Sequence, residues 1–162
     1  MNKKLWIGSF GMLILFLPYA FLNLGVEPKS DTTAIKESSL IEYPAKYNYR
    51  QTKNDCGPFN VAAVVRALTG KNVNSALFAE DIGWRLPKHG TLPWGLENQL
   101  ESQGIRVEKP RFNLLTNDEK LTLIQEHLSM NKPIIILGER NKYEHYFTLF
   151  GFNENKDEYY IY

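Results

Sequence analysis

The feature that most limits how this chain can fold is residues 5–26, a run of 22 residues without a charged side chain. About 20 such residues are enough to cross a bilayer as a helix, so the run is set apart from any globular fold. Lys3 and Lys4 precede it, which predicts a cytoplasmic N-terminus and places everything after Val26 on the extracytoplasmic side. Residues 1–26 are expected to be a signal anchor, tethering the protein to the membrane on its periplasmic or cell-surface face. A cleaved signal peptide, which would leave the protein secreted, is the competing expectation, although no A-x-A-like site precedes Glu27. Residues 27–43 are polar and are expected to be a linker. Residues 44–162 remain for one domain of ordinary size.

Composition then excludes several classes of function. Hydrophobic content of 43% with 23% charged residues is that of a globular protein. Nineteen basic against 18 acidic residues leave a net charge of +1, so no basic field argues for nucleic acid. One cysteine and three widely spaced histidines form no ligand cluster, and no metal is expected. Phosphate-loop and dinucleotide motifs are absent from the sequence, and no cofactor is expected.

The single cysteine stands in Gln51-Thr-Lys-Asn-Asp-Cys56-Gly-Pro-Phe-Asn60, where a helix is about to begin. Asn54 or Asp55 is placed to cap it, and Pro58 falls in the first turn, where proline is tolerated. Val61, Val64, Val65 and Leu68 then recur at helical spacing, and Gly70 ends the run. A lone cysteine is ordinarily a small buried hydrophobe. A helix N-terminus and a polar approach argue instead for a thiolate nucleophile, held at the positive end of the helix dipole. The neighbouring Asp55 would oppose ionisation unless its carboxylate points away.

Further helices are expected over residues 74–82 and 93–103, and a loop over 84–91. Residues 105–109 alternate like a strand. Thr116 and Glu119 make a capping box that opens a helix with Leu121, Ile124 and Leu128 on one face. Residues 133–137 form an apolar run expected to be a central strand, 138–144 a polar turn, 146–152 the next strand, 154–157 a turn, and 159–162 a last strand. Helices first and an antiparallel meander last predict an α+β fold. Trp84, Trp94 and Tyr146 fit either a core or the wall of a substrate groove, and no site is assigned to them.

A cysteine nucleophile needs a base. His127 lies within a helical pattern and His89 in a proline–glycine loop, whereas His145 opens a strand after a polar turn. Papain-like enzymes bring a helix-borne cysteine against a strand-borne histidine, which makes His145 the candidate partner of Cys56.

Three segments in order, Gln51-x4-Cys56-Gly-Pro, Thr91-Leu-Pro-Trp-Gly-Leu and His145-Tyr-Phe-Thr-Leu-x-Gly151, resemble the C39 family of papain-like cysteine peptidases. The resemblance spans residues 44–162 and implies a papain-like fold, with N-terminal helices packed on a C-terminal antiparallel sheet. It implies a peptide or protein substrate cleaved through a Cys–His pair. Cys56 would attack, His145 would act as general base, and Gln51 would donate to the oxyanion beside the N–H of Cys56. Members fused to transporters remove leader peptides, but the absence of an ATP-binding segment makes this chain similar to stand-alone, membrane-anchored or exported members. The family also places an aspartate one strand after the histidine, a position that falls just past Tyr162. Truncation of the domain at its C-terminus is the expected explanation. Two other functions fit the same residues: a catalytically impaired domain that binds peptides, and a Cys–His acyl or amide transferase.

Overall fold

A computed structural model describes residues 35–51, 54–86 and 90–162. The apolar run at 5–26 and its expected role as an anchor lie outside these residues. No described helix is long and apolar enough to cross a membrane.

Strand β1 (Ser38–Leu40) comes first, followed by helices α1 (Cys56–Thr69), α2 (Ser75–Asp81), α3 (Pro93–Ser102) and α4 (Asn117–Ser129). Strands β2 (Ile134–Arg140), β3 (Tyr143–Asn153) and β4 (Glu158–Ile161) complete the chain. The arrangement of the described residues is α+β, with four helices and a four-stranded antiparallel sheet among them. Local chemistry sets most of the helix limits. Gly70 closes α1 in the left-handed conformation (φ 69°), the side chain of Asn74 caps α2, and Pro93 starts α3. The capping box forms at α4, where the Thr116 N–H donates to Glu119 at 2.7 Å and the Glu119 N–H donates to the Thr116 hydroxyl at 3.3 Å.

Strand β3, not β2, is the centre of the sheet, since it pairs with each of the other three. The expected turn over 138–144 contracts to Asn141 and Lys142, both with positive φ (53° and 67°). A two-residue turn of this kind matches the twist of the flanking strands and lets both run through polar sequence. A register shift between Leu149 and Gly151 changes the face on which later side chains fall. Gly151 is obligatory there, because a Cβ would collide with the Ser39 carbonyl.

Helices cover both faces of the sheet. On one face Val61, Val64 and Val65 of α1 pack with Leu96 and Leu100 of α3, Ile82 and Tyr146. On the other, Ile124 and Leu128 of α4 pack with Leu149 and Phe152. Leu121, expected on that apolar face, is exposed, and Leu123 is buried instead.

Two further expectations are corrected. Residues 38–41 are not linker: β1 is laddered to β3, the Ser39 hydroxyl donates to the Leu128 carbonyl at 2.7 Å, and Ile41 is buried. The packed domain therefore begins before residue 44. Residues 105–109 alternate but join no strand. Ile105 and Val107 lie on the core, and Glu108 takes the Lys132 ammonium at 3.2 Å, so side chains hold the segment where no sheet edge reaches it.

Candidate active site around Cys56

Cys56 is the first residue of α1 and is partly buried. Asp55 occupies the capping position as expected, but its side chain makes no cap hydrogen bond. Its carboxylate turns to Arg85, whose Nη2 donates to Oδ1 at 2.6 Å. Two consequences follow. The charge beside the thiol is matched by a guanidinium, and the N–H groups of Cys56 and Gly57 keep no partner within the helix. Pro58 has no N–H to offer. Cys56 thus stands at the positive end of α1, which favours a thiolate and any anion formed beside it.

Asn60 fixes where Cys56 sits. It lies one helical turn on and is buried, at 3% exposure. Its Nδ2 donates to the Cys56 carbonyl at 2.7 Å and to the Tyr146 carbonyl at 2.9 Å. Its Oδ1 accepts from the Thr148 hydroxyl at 2.6 Å. One amide therefore ties the start of α1 to β3.

The middle segment closes over the same place. A Cβ on Gly57 would come within 3.0 Å of the Thr91 Cβ and 3.1 Å of Leu96, so glycine lets the Thr91–Leu96 stretch approach the helix start. Tyr146 packs in the cluster that Cys56 borders and donates its hydroxyl to the Thr91 carbonyl at 3.1 Å. Burial pushes the Tyr146 phenol up to about 12, with negative charge on Cys56 and on Glu144 acting in the same direction. Segments around residues 56, 91 and 146 thus converge on the thiol.

His145 is exposed at the hairpin end of β3, opposite Gly138. The Phe147 ring lies where a Gly138 Cβ would be, on the face that carries Leu149 and α4. Alternation along the strand puts His145 on that face and Tyr146, with Thr148, on the face of α1. No hydrogen bond joins His145 to Cys56. Gln51 is exposed, five positions before Cys56, and residues 52–53 between them lie outside the described set. His127 is engaged by α4 itself, with Nδ1 2.9 Å from the Leu123 carbonyl and Nε2 3.5 Å from Glu108. His89 lies outside the described residues.

Sequence reasoning missed Asn60, Thr91 and Arg85. Asn60 carried a signal: a polar residue at i+4 from the cysteine, on a helix otherwise lined by valine and alanine, must have a buried partner. Among the described residues no group of histidine, cysteine and carboxylate side chains is assembled for a metal ion. No family model, curated protein or solved structure matches the chain.

Proposed function

We propose that this protein is a papain-like cysteine peptidase of the C39 type, acting on a peptide or protein substrate at the extracytoplasmic side of a membrane. Cys56 is the nucleophile. The observation that carries this is the first turn of α1, where Cys56 stands at the positive end of the helix and the Asp55 carboxylate beside it is paired with Arg85. Thiolate attacks the scissile carbonyl, the N–H groups of Cys56 and Gly57 meet the developing oxyanion, and Gln51 adds a donor from the preceding segment. His145 takes the thiol proton and returns it to the leaving amine. This role requires the 143–145 end of the hairpin to turn the imidazole towards α1 when substrate binds. Catalytic hydrogen bonds often tighten only in the complex.

A second function, peptide binding without turnover, is favoured by one observation: alternation puts His145 on the sheet face opposite Tyr146. Product analysis separates the two. A mixture of random peptides is incubated with the full-length protein and its termini are read by mass spectrometry. New termini that vanish in Cys56→Ala and fall at least a hundredfold in His145→Ala are expected. Termini identical to those of Cys56→Ala would refute the peptidase, and amine-capped acyl products would assign a transferase.

A further inference from the structure

Trp84 combines two properties that rarely coincide. Its backbone is left-handed (φ 57°), a conformation that bulky residues almost never adopt. Its side chain is nonetheless 58% exposed, so burial of the indole does not explain why tryptophan is there. An outlier of this kind, held by its surroundings, points to function.

The surroundings hold it tightly. The Trp84 carbonyl accepts from the Leu92 N–H at 3.0 Å, and Arg85 bridges to Thr91. A Cβ on Gly95 would lie 2.5 Å from the Gly83 carbonyl oxygen and 3.3 Å from the Trp84 Cβ, so glycine at 95 makes room for this turn. Trp94 meets Trp84 edge to face, with ring centroids 5.6 Å apart at 83°. The corner formed by the two indoles is also anchored to the thiol. Arg85, next to Trp84, binds Asp55, next to Cys56, at 2.6 Å, and Thr91 touches the position of both a Gly57 and a Gly95 Cβ.

We infer that Trp84 and Trp94 form a shelf that seats a large apolar side chain of the peptide substrate next to Cys56. This names a substrate preference and rests on the peptidase proposed above. Two perpendicular indoles offer an aromatic or branched aliphatic side chain a face and an edge at once, with few rotamers to freeze.

The test uses the full-length chain carrying Cys56→Ser, with blocked peptides of glycine and serine around one central Phe, Leu, Ala or Lys. Binding is followed by the 15N indole signals, with Trp6 as internal reference. Phe and Leu peptides are expected to shift the Trp84 signal saturably, at least tenfold more tightly than Ala or Lys peptides. Trp84→Asn, which suits a left-handed backbone, is expected to weaken the Phe peptide at least tenfold while the melting temperature holds or rises. Equal binding of the Lys peptide, unchanged binding by Trp84→Asn, no shift with any peptide, or a clear fall in melting temperature would overturn the shelf. Failure of the peptidase looks different. Peptides would bind as described while the protein with Cys56 intact cleaved none; cleavage without preference for Phe or Leu would sink the shelf and leave the peptidase standing.

Discussion

At the first turn of α1, Cys56 and Gly57 carry N–H groups without a helical partner, Asp55 has turned away to Arg85, and Trp84 holds a left-handed backbone nearby. At the last turn, Arg66 is 5% exposed and its donors are engaged. Nε and Nη2 reach the Val73 carbonyl at 3.1 and 2.7 Å, Nη2 reaches the Ser75 hydroxyl at 2.6 Å, and Nη1 reaches the Tyr43 hydroxyl at 3.2 Å. No described carboxylate pairs with it; the helix carbonyls and the Tyr47 and Tyr49 rings, 5.9 and 4.9 Å from its guanidinium carbon, balance the charge. A cavity of about 290 Å³ lies at this end, between Tyr43, Tyr47 and Arg66. Volume and chemistry therefore point to opposite ends of one helix. Arg66 has committed its hydrogen bonds to the fold, whereas the first turn carries N–H groups with no partner within the helix.

Substitutions break or sharpen that contrast. Arg66→Met is expected to cost the most, about 3 kcal/mol at the upper end for hydrogen bonds to a charged group, measured by urea unfolding. It should leave the alkylation rate of Cys56 in the folded protein unchanged; a slowed rate would mean that the two ends are coupled. Asn60→Ala, at the first turn, should cost about 2 kcal/mol, because Thr148 loses its buried partner. Unlike Arg66→Met, it should also alter Cys56 reactivity, since it frees the helix start from β3. Gly70→Ala forces a Cβ into a left-handed cap and should cost about 1 kcal/mol without touching the thiol.

Alkaline pH addresses both ends together. Burial pushes the phenols of Tyr43 and Tyr146 up from 10.0 to about 12, one beside Arg66 and one beside Cys56. The unfolded chain releases these protons first, so their contribution is complete below pH 10 and is lost between about pH 10 and 12. Stability measured across that window should fall less steeply in Tyr43→Phe and in Tyr146→Phe. A slope equal to that of the parent in both variants would contradict the burial of these phenols.

Much of this was legible in the sequence because strong punctuation stands where the structure uses it. Gly70 with positive φ, Pro93 at the first turn of α3 and the Thr116–Glu119 box all act as their residue types dictate. Pairing was not legible. Ser38, Ser39 and Leu40 are too short a run to show a period, yet they ladder onto β3, while the alternating residues 105–109 join no strand. The hairpin at Asn141–Lys142 lacks the glycine that usually marks its turn type. At the site, the position of Cys56 followed from its flanking residues. The choice of Arg85 over the helix as partner for Asp55 depends on a contact thirty positions apart, which spacing cannot reveal. Nor does composition announce that Trp84 is exposed on a strained backbone.

The most direct measurement is the rate of iodoacetamide alkylation of Cys56 from pH 4 to 9, in the full-length protein and in His145→Ala. A thiolate held by imidazolium at the first turn of α1 predicts rapid alkylation below pH 7 that His145→Ala abolishes. Reaction only above pH 8, unchanged by His145→Ala, would contradict the proposed Cys–His pair and leave a domain that binds peptides without cleaving them.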